Sequence, residues 1–212
     1  MRILVTDGMD AAAMEALRAK GHEIAEQFYA PEVLGEALRD FDAVVIRSAT
    51  KLRAPQLDAA KGSRLKLILR GGVGLDNIDV SHAESCGFTV KNTPKASSRS
   101  VAELAMGHMF SCARYISVAG ATMREGKWEK KAYGKGIELG GKTLGIIGFG
   151  RIGQTLGAMA KAIGMEVVAQ DVYHVEGIEA RLGMRYVELE ELLAVSDFIS
   201  LHTPAIDGKP LI

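Results

Sequence analysis

The stretch from Leu144 to Asp171 leaves the chain little freedom in what it can fold into. An apolar run, Leu144-Gly145-Ile146-Ile147, enters the turn Gly148-Phe149-Gly150-Arg151-Ile152-Gly153. After the turn, Ile152, Leu156, Met159 and Ile163 recur at helical spacing, which predicts one apolar helix face. Gly164 stands where a left-handed C′ residue ends a helix, and Met165–Gln170 is extended again before a single acid, Asp171. Strand, glycine turn, helix, strand and acid, in that order, define a βαβ unit that receives a dinucleotide. The first glycine permits the tight turn, the second lets the backbone approach a pyrophosphate, and the third lets helix and strand pack closely. The helix N-terminus offers unpaired amides and partial positive charge to the phosphates. A carboxylate at Asp171 accepts both ribose hydroxyls and repels a 2′-phosphate, so the expected cofactor is NAD rather than NADP.

The first ninety residues alternate short apolar runs with helical patterns, as parallel sheets covered by helices do. Strands are expected near Arg2–Thr6, Glu23–Gln27, Ala43–Arg47, Lys66–Leu69 and Thr89–Lys91. Between them, helices are expected over Met9–Lys20, Pro31–Arg39, a short stretch after Pro55, and Val80–Cys86. Pro94 and the run Ser97-Ser98-Arg99-Ser100 interrupt this pattern. Ser100-Val101-Ala102-Glu103 then reads as a capping box opening a helix to about Ser117. Val101, Leu104, Ala105, His108, Cys112 and Ile116 would form its repeating face, and the helix would bridge two units. Two further strands are expected near Arg185–Val187 and Asp197–Leu201. The fold class is therefore α/β with two Rossmann-like parallel-sheet units, a first domain over 1–96 and a dinucleotide-binding one over 97–212.

The 212 residues, 48% of them apolar, suffice for substantial cores. Lys plus Arg and Asp plus Glu each number 26, which leaves no basic footprint for nucleic acid or an anionic membrane. No apolar run is long enough to span a bilayer, and Met1–Asp7 turns polar too soon for a signal peptide, so a cytoplasmic protein is expected. Cys86 and Cys112 lack metal-ligand spacing and read as reduced, buried small residues, with no metal site.

Further motifs accompany the glycine turn: Arg47-Ser48-Ala49-Thr50, Arg70-Gly71-Gly72-Val73-Gly74-Leu75-Asp76-Asn77-Ile78-Asp79, Asn92-Thr93-Pro94, Ser100-Val101-Ala102-Glu103, Gly126-Lys127-Trp128 and Leu201-His202-Thr203-Pro204. In this order they resemble the D-2-hydroxyacid dehydrogenase family from the first strand to the last residue. The resemblance implies a flavodoxin-like substrate domain, an NAD-binding domain, an active site in the cleft between them, and a homodimer of the intact parent formed through the NAD-binding domains. It implies oxidation of a small 2-hydroxy acid, with 3-phosphoglycerate, which leads into serine synthesis, as the favoured substrate. Gly72, Val73 and Gly74 would surround the substrate carboxylate with backbone groups. Arg47, beside Ser48, would reach a substrate phosphate through paired hydrogen bonds. On the cofactor side, the resemblance places Val101, Gly148, Gly150, Arg151, Ile152 and Gly153 around the dinucleotide, Asp171 on its ribose, and His202, Thr203 and Pro204 near the adenine.

His202 invites a catalytic reading, but the resemblance assigns that position to the cofactor pocket. Ser97 departs from the family, which usually carries Asn there, and a hydroxyl reaches substrate less far than an amide. The histidine that takes the substrate proton, the arginine that binds the carboxylate and the glutamate that supports the histidine all follow the Leu201–Pro204 motif in the family. None matches within this chain, and His22, His82, His108 and His174 read as structural. A dinucleotide fold has about six strands. These 212 residues are thus expected to be the N-terminal portion of a longer enzyme, with a truncated second domain and no activity alone. Two alternatives stay open: a non-catalytic relative that binds NAD(H) or a partner, and a dehydrogenase for glyoxylate, glycerate or another 2-hydroxy acid.

Overall fold

The computed structural model describes residues 1–203, so Pro204 lies outside the described residues. Two compact units divide the chain, Met1–Ala96 and Ser97–Ile212.

In the first unit the chain runs β1 (Arg2–Val5), α1 (Ala11–Ala19), β2 (Glu23–Glu26), α2 (Pro31–Leu38), β3 (Ala43–Ile46), α3 (Ala54–Ala60), β4 (Leu67–Arg70), α4 (Val80–Ser85) and β5 (Thr89–Asn92). All strand pairings are parallel, in the order β2-β1-β3-β4-β5. That is the flavodoxin-like doubly wound order, whose chain reversal lies between β1 and β3. β3 is buried at every position, as a central strand covered on both faces must be. Local chemistry sets the helix limits. Pro31 and Pro55 occupy first-turn positions of α2 and α3, and the Asp10 and Asp79 side chains cap α1 and α4. Leu34, Leu38, Leu57, Ile68 and Phe88 fill one side of the sheet, and Ile3, Val5 and Val45 the other.

The second unit runs α5 (Ser98–Arg114), α6 (Ile116–Arg124), α7 (Lys130–Tyr133), β6 (Thr143–Ile147), α8 (Arg151–Ala162), β7 (Glu166–Gln170), α9 (Ile178–Leu182), β8 (Arg185–Tyr186), α10 (Leu189–Val195) and β9 (Phe198–Leu201). Its parallel order, β8-β7-β6-β9, is the 3-2-1-4 arrangement of a dinucleotide-binding sheet.

Several expectations change here. α5 starts at Ser98, not Ser100, and its N-cap Ser97 makes no side-chain capping bond. Ser100 therefore lies inside the first turn rather than at the cap, so the capping box does not form, and the Glu103 carboxylate instead accepts from the Arg99 guanidinium at 2.7 Å. The helix stops at Arg114, before the expected Ser117. Tyr115 takes up a left-handed conformation with φ 57°, and α6 begins at the next residue. Such strain needs tertiary support, and the Tyr115 ring packs against Tyr133 with centroids 5.9 Å apart. α5 lies within the second unit and packs on α8.

The buried face of α5 is Ala102, Met106, Met109 and Ala113, whereas Leu104 and Ile116 are exposed. Two apolar stripes overlap on this helix, and the one rich in small and flexible residues lies against α8. α8 in turn buries Gly153, Leu156, Gly157 and Ala160, with Ile152 and Met159 only partly covered and Ile163 exposed. Glycine at 157 leaves room for the Phe149 ring, which a Cβ there would crowd at 3.2 Å. The cysteines also differ from expectation: Cys86 is half-buried and Cys112 exposed.

Candidate functional site

In the first unit, Arg47 and Ser48 follow β3, and Gly72, Val73 and Gly74 follow β4, so the structure brings both groups to the carboxyl edge of one sheet. The loop after β3 is pinned from two sides. Asp7 Oδ2 accepts the Arg47 and Thr50 amides at 2.7 and 3.0 Å, and Asp7 Oδ1 lies 2.6 Å from Thr50 Oγ1. The Asn77 amide nitrogen donates to the carbonyls of Arg47 and Thr50, both at 2.7 Å. Burial alone would raise the Asp7 pKa. The hydrogen bonds from Thr50, Arg47 and Thr6 outweigh it and hold the carboxyl below its ordinary value of 3.8. The loop after β4 is anchored through its carbonyls, Gly72 O to the Thr93 amide at 3.0 Å and Val73 O to Asn92 Nδ2 at 2.7 Å.

Arg70 was missed as a site residue because the strand reading ended at Leu69. It is the last residue of β4, and its Nη2 donates to Ser48 Oγ at 3.2 Å. Its guanidinium lies over Gly72, where any side chain would collide with it. Arg70 Nε is buried and has no partner among the described residues. Two guanidinium-bearing residues thus flank loops whose backbones are rigidly held. Asp7 and Asn77, which fix the Arg47 loop, were not singled out either. The only signal for Asp7 was a polar residue directly after an apolar strand.

In the second unit the three turn glycines meet separate constraints. Gly148 has φ +88°, and a Cβ there would lie 2.7 Å from His202 O and 2.8 Å from Thr203 Cγ2. Two backbone bonds lock this corner, Gly148 N to Gln170 O at 2.9 Å and His202 N to Ile147 O at 2.8 Å. The turn therefore sits between the ends of β7 and β9, at the chain reversal of the sheet. At Gly153 a Cβ would come within 2.5 Å of Gly148 O, so helix and strand meet there only with glycine. Gly150 is different: its φ is −73°, open to any residue, and nothing lies within 4 Å of where its Cβ would be.

Gly150 is the N-cap of α8 and provides no side-chain cap, so the amides of Arg151, Ile152 and Gly153 open the helix toward this space. Asp171, just past β7, is tied into the turn: Oδ2 accepts the Phe149 amide at 2.6 Å and Oδ1 the Tyr173 amide at 3.0 Å. Each carboxylate oxygen retains a lone pair for a hydroxyl donor. His202 Nε2 lies 2.9 Å from Ser200 Oγ, and burial lowers its pKa, so the neutral ring prevails at neutral pH. Ser97 and Val101 stand at the start of α5.

The family described as D-isomer specific 2-hydroxyacid dehydrogenase, NAD binding domain, matches residues 106–209. A hydroxypyruvate reductase from Thermotoga maritima is 48% identical over 98% of this chain and 66% of its own length. A D-3-phosphoglycerate dehydrogenase from Methanocaldococcus jannaschii is 44% identical over 96% of the chain, which covers 38% of that protein. The chain belongs to the D-2-hydroxyacid dehydrogenase family. The fold of this dehydrogenase-family chain also resembles the apo-structure of D-lactate dehydrogenase from Escherichia coli, with a TM-score of 0.83 and 28% identity over 98% of the chain and 66% of that structure. The matched domain binds NAD. The second unit suits that cofactor, with open space at Gly150, an uncapped helix start and a carboxylate at Asp171. The chain spans less than two thirds of these relatives' lengths.

Proposed function

We propose that this chain supplies the NAD site and the substrate-anchoring loops of a dehydrogenase acting on a small D-2-hydroxy acid. Gly150 carries the reading. The protein itself requires glycine at 148 and 153, but its own packing requires nothing of 150, and a backbone left bare into open space suits a closely approaching pyrophosphate. When bound, NAD accepts a hydride from the carbon bearing the substrate hydroxyl. The chain's residues bind and orient. The amides opening α8 face the pyrophosphate, Asp171 takes the adenosine ribose, and His202 and Thr203 border the adenine side; Pro204 and Val101 complete the proposed set. In the first unit the Gly72 amide is engaged by Arg70 O at 2.9 Å, so the Val73 and Gly74 amides face the substrate carboxylate.

The proposed substrate is 3-phosphoglycerate, because Arg47 and Arg70 offer guanidinium groups at the same edge as the carboxylate-binding loop. Ser97 would contact the substrate through its hydroxyl. The similarity to a hydroxypyruvate reductase favours a second reading, an unphosphorylated three-carbon acid. Turnover of each acid by the protein that contains these 212 residues separates the two. Arg47→Ala should selectively raise KM for the phosphorylated acid, and an equal rise for hydroxypyruvate would remove the phosphate role. By itself the 212-residue chain should bind NADH, seen as enhanced nicotinamide fluorescence, and turn nothing over. Failure to bind at millimolar NADH would overturn the cofactor assignment for this chain.

A further inference from the structure

We propose that Asp58, His82 and Cys86 form a binding site for a divalent transition-metal ion of the zinc type on the first unit. His82 and Cys86 are four residues apart on α4 and its C-cap, where the Cys86 amide bonds to His82 O at 3.0 Å, so their side chains lie one above the other. Asp58 projects from the neighbouring α3. Its Oδ1 is 2.8 Å from His82 Nε2 and 3.8 Å from Cys86 Sγ, and all three donor atoms lie within 4.8 Å of one another. A histidine–aspartate ion pair accounts for two of these groups. The Cys86 thiol donates to the same carboxylate oxygen, so imidazole, carboxylate and thiol converge on one point.

The distances suit an ion. Zinc binds sulfur at about 2.3 Å and nitrogen or oxygen at about 2.0–2.2 Å, which places tetrahedral ligand atoms about 3.4–3.6 Å apart. The Cys86–Asp58 separation is close to that already, and the His82–Asp58 pair needs to open by only a fraction of an ångström. Imidazole, carboxylate and thiolate together favour zinc over calcium or magnesium, which prefer all-oxygen sites. Binding displaces the thiol proton of Cys86 to solvent and forms a metal–thiolate bond, and water completes the fourth position.

The ion would tie α3 to α4, the helices that follow the Arg47 and Gly72–Gly74 loops. These loops are already joined where the Leu52 amide bonds to Asn77 O and the Asp79 amide to Leu52 O, both at 2.9 Å. The site thus braces the outer end of a connection whose inner end is built into the fold.

Cobalt(II) titration of the full chain, kept reduced with a phosphine, tests this. The expected result is a sulfur-to-cobalt charge-transfer band with the visible bands of a four-coordinate ion, saturating at a single ion per chain and displaced by zinc. Cys86→Ser should abolish the charge-transfer band, and Cys112→Ser should leave it intact. Asp58→Asn, at an exposed position, should weaken binding about 10- to 100-fold, at least the loss caused by removing an outer-shell partner. Absence of the band in the native chain, its loss in Cys112→Ser, or unchanged affinity in Asp58→Asn would each overturn the site.

Discussion

Gly148, Gly150 and Gly153 look alike in the sequence, yet the neighbours in the fold require glycine only at 148 and 153. Gly153→Ala should cost stability by about 1–3 kcal/mol, as overpacking does, because its Cβ would come within 2.5 Å of Gly148 O. Gly150→Ala should cost no more than about 1 kcal/mol, the loss of a glycine N-cap, and weaken NADH binding, read by calorimetric titration. A large loss of stability at 150, or none at 153, would contradict these assignments. Asp7 gives a pH signature. Its pKa is lower folded than unfolded, so its contribution is complete above the ordinary value of 3.8 and disappears as pH falls through the folded pKa. Asp7→Asn should therefore lower stability at pH 5–7 and flatten the acid limb of a stability–pH profile below about pH 4. The turn glycines and Asp171 were legible because their chemistry is local. Arg70 was not, since its partner Ser48 comes from another strand end.

At the scale of elements, strand periodicity, prolines and closing glycines located the strands, the helices of the first unit and α8 to within about two residues, whereas α6, α7, α9 and α10 were not anticipated. α5 shows where that reasoning stops. Its first turn begins before Ser100, Glu103 pairs with Arg99, and the face that packs is set by what α8 presents. Ser100→Ala should accordingly change stability by less than about 0.5 kcal/mol, well below the ~1 kcal/mol of a true N-cap. Met106→Ala should cost about 2–5 kcal/mol, since Met106 is only 8% exposed within the second core. Urea denaturation of the two variants decides between the faces. The break at Tyr115 was illegible because a tyrosine in the left-handed region depends on a ring from a later helix.

At the scale of the whole molecule, Leu104, Ile116, Met123 and Trp128 are 57–75% exposed along α5, α6 and the segment that follows. We propose that two copies of the chain associate through this apolar stretch. Sedimentation should show a dimer that Trp128→Lys shifts toward monomer, and a monomeric native chain would refute it. No helix among the described residues is long and apolar enough to cross a membrane. The sequence by itself determined two parallel α/β units and a dinucleotide turn, because periodicity and turn chemistry act between residues a few positions apart. Only the tertiary structure decided that Asp7 and Asn77 hold the Arg47 loop, that Arg70 joins it, and that Asp58 meets His82 and Cys86. Those groups come from elements distant in sequence, and packing of whole sheets and helices, rather than any local pattern, brings them within bonding distance.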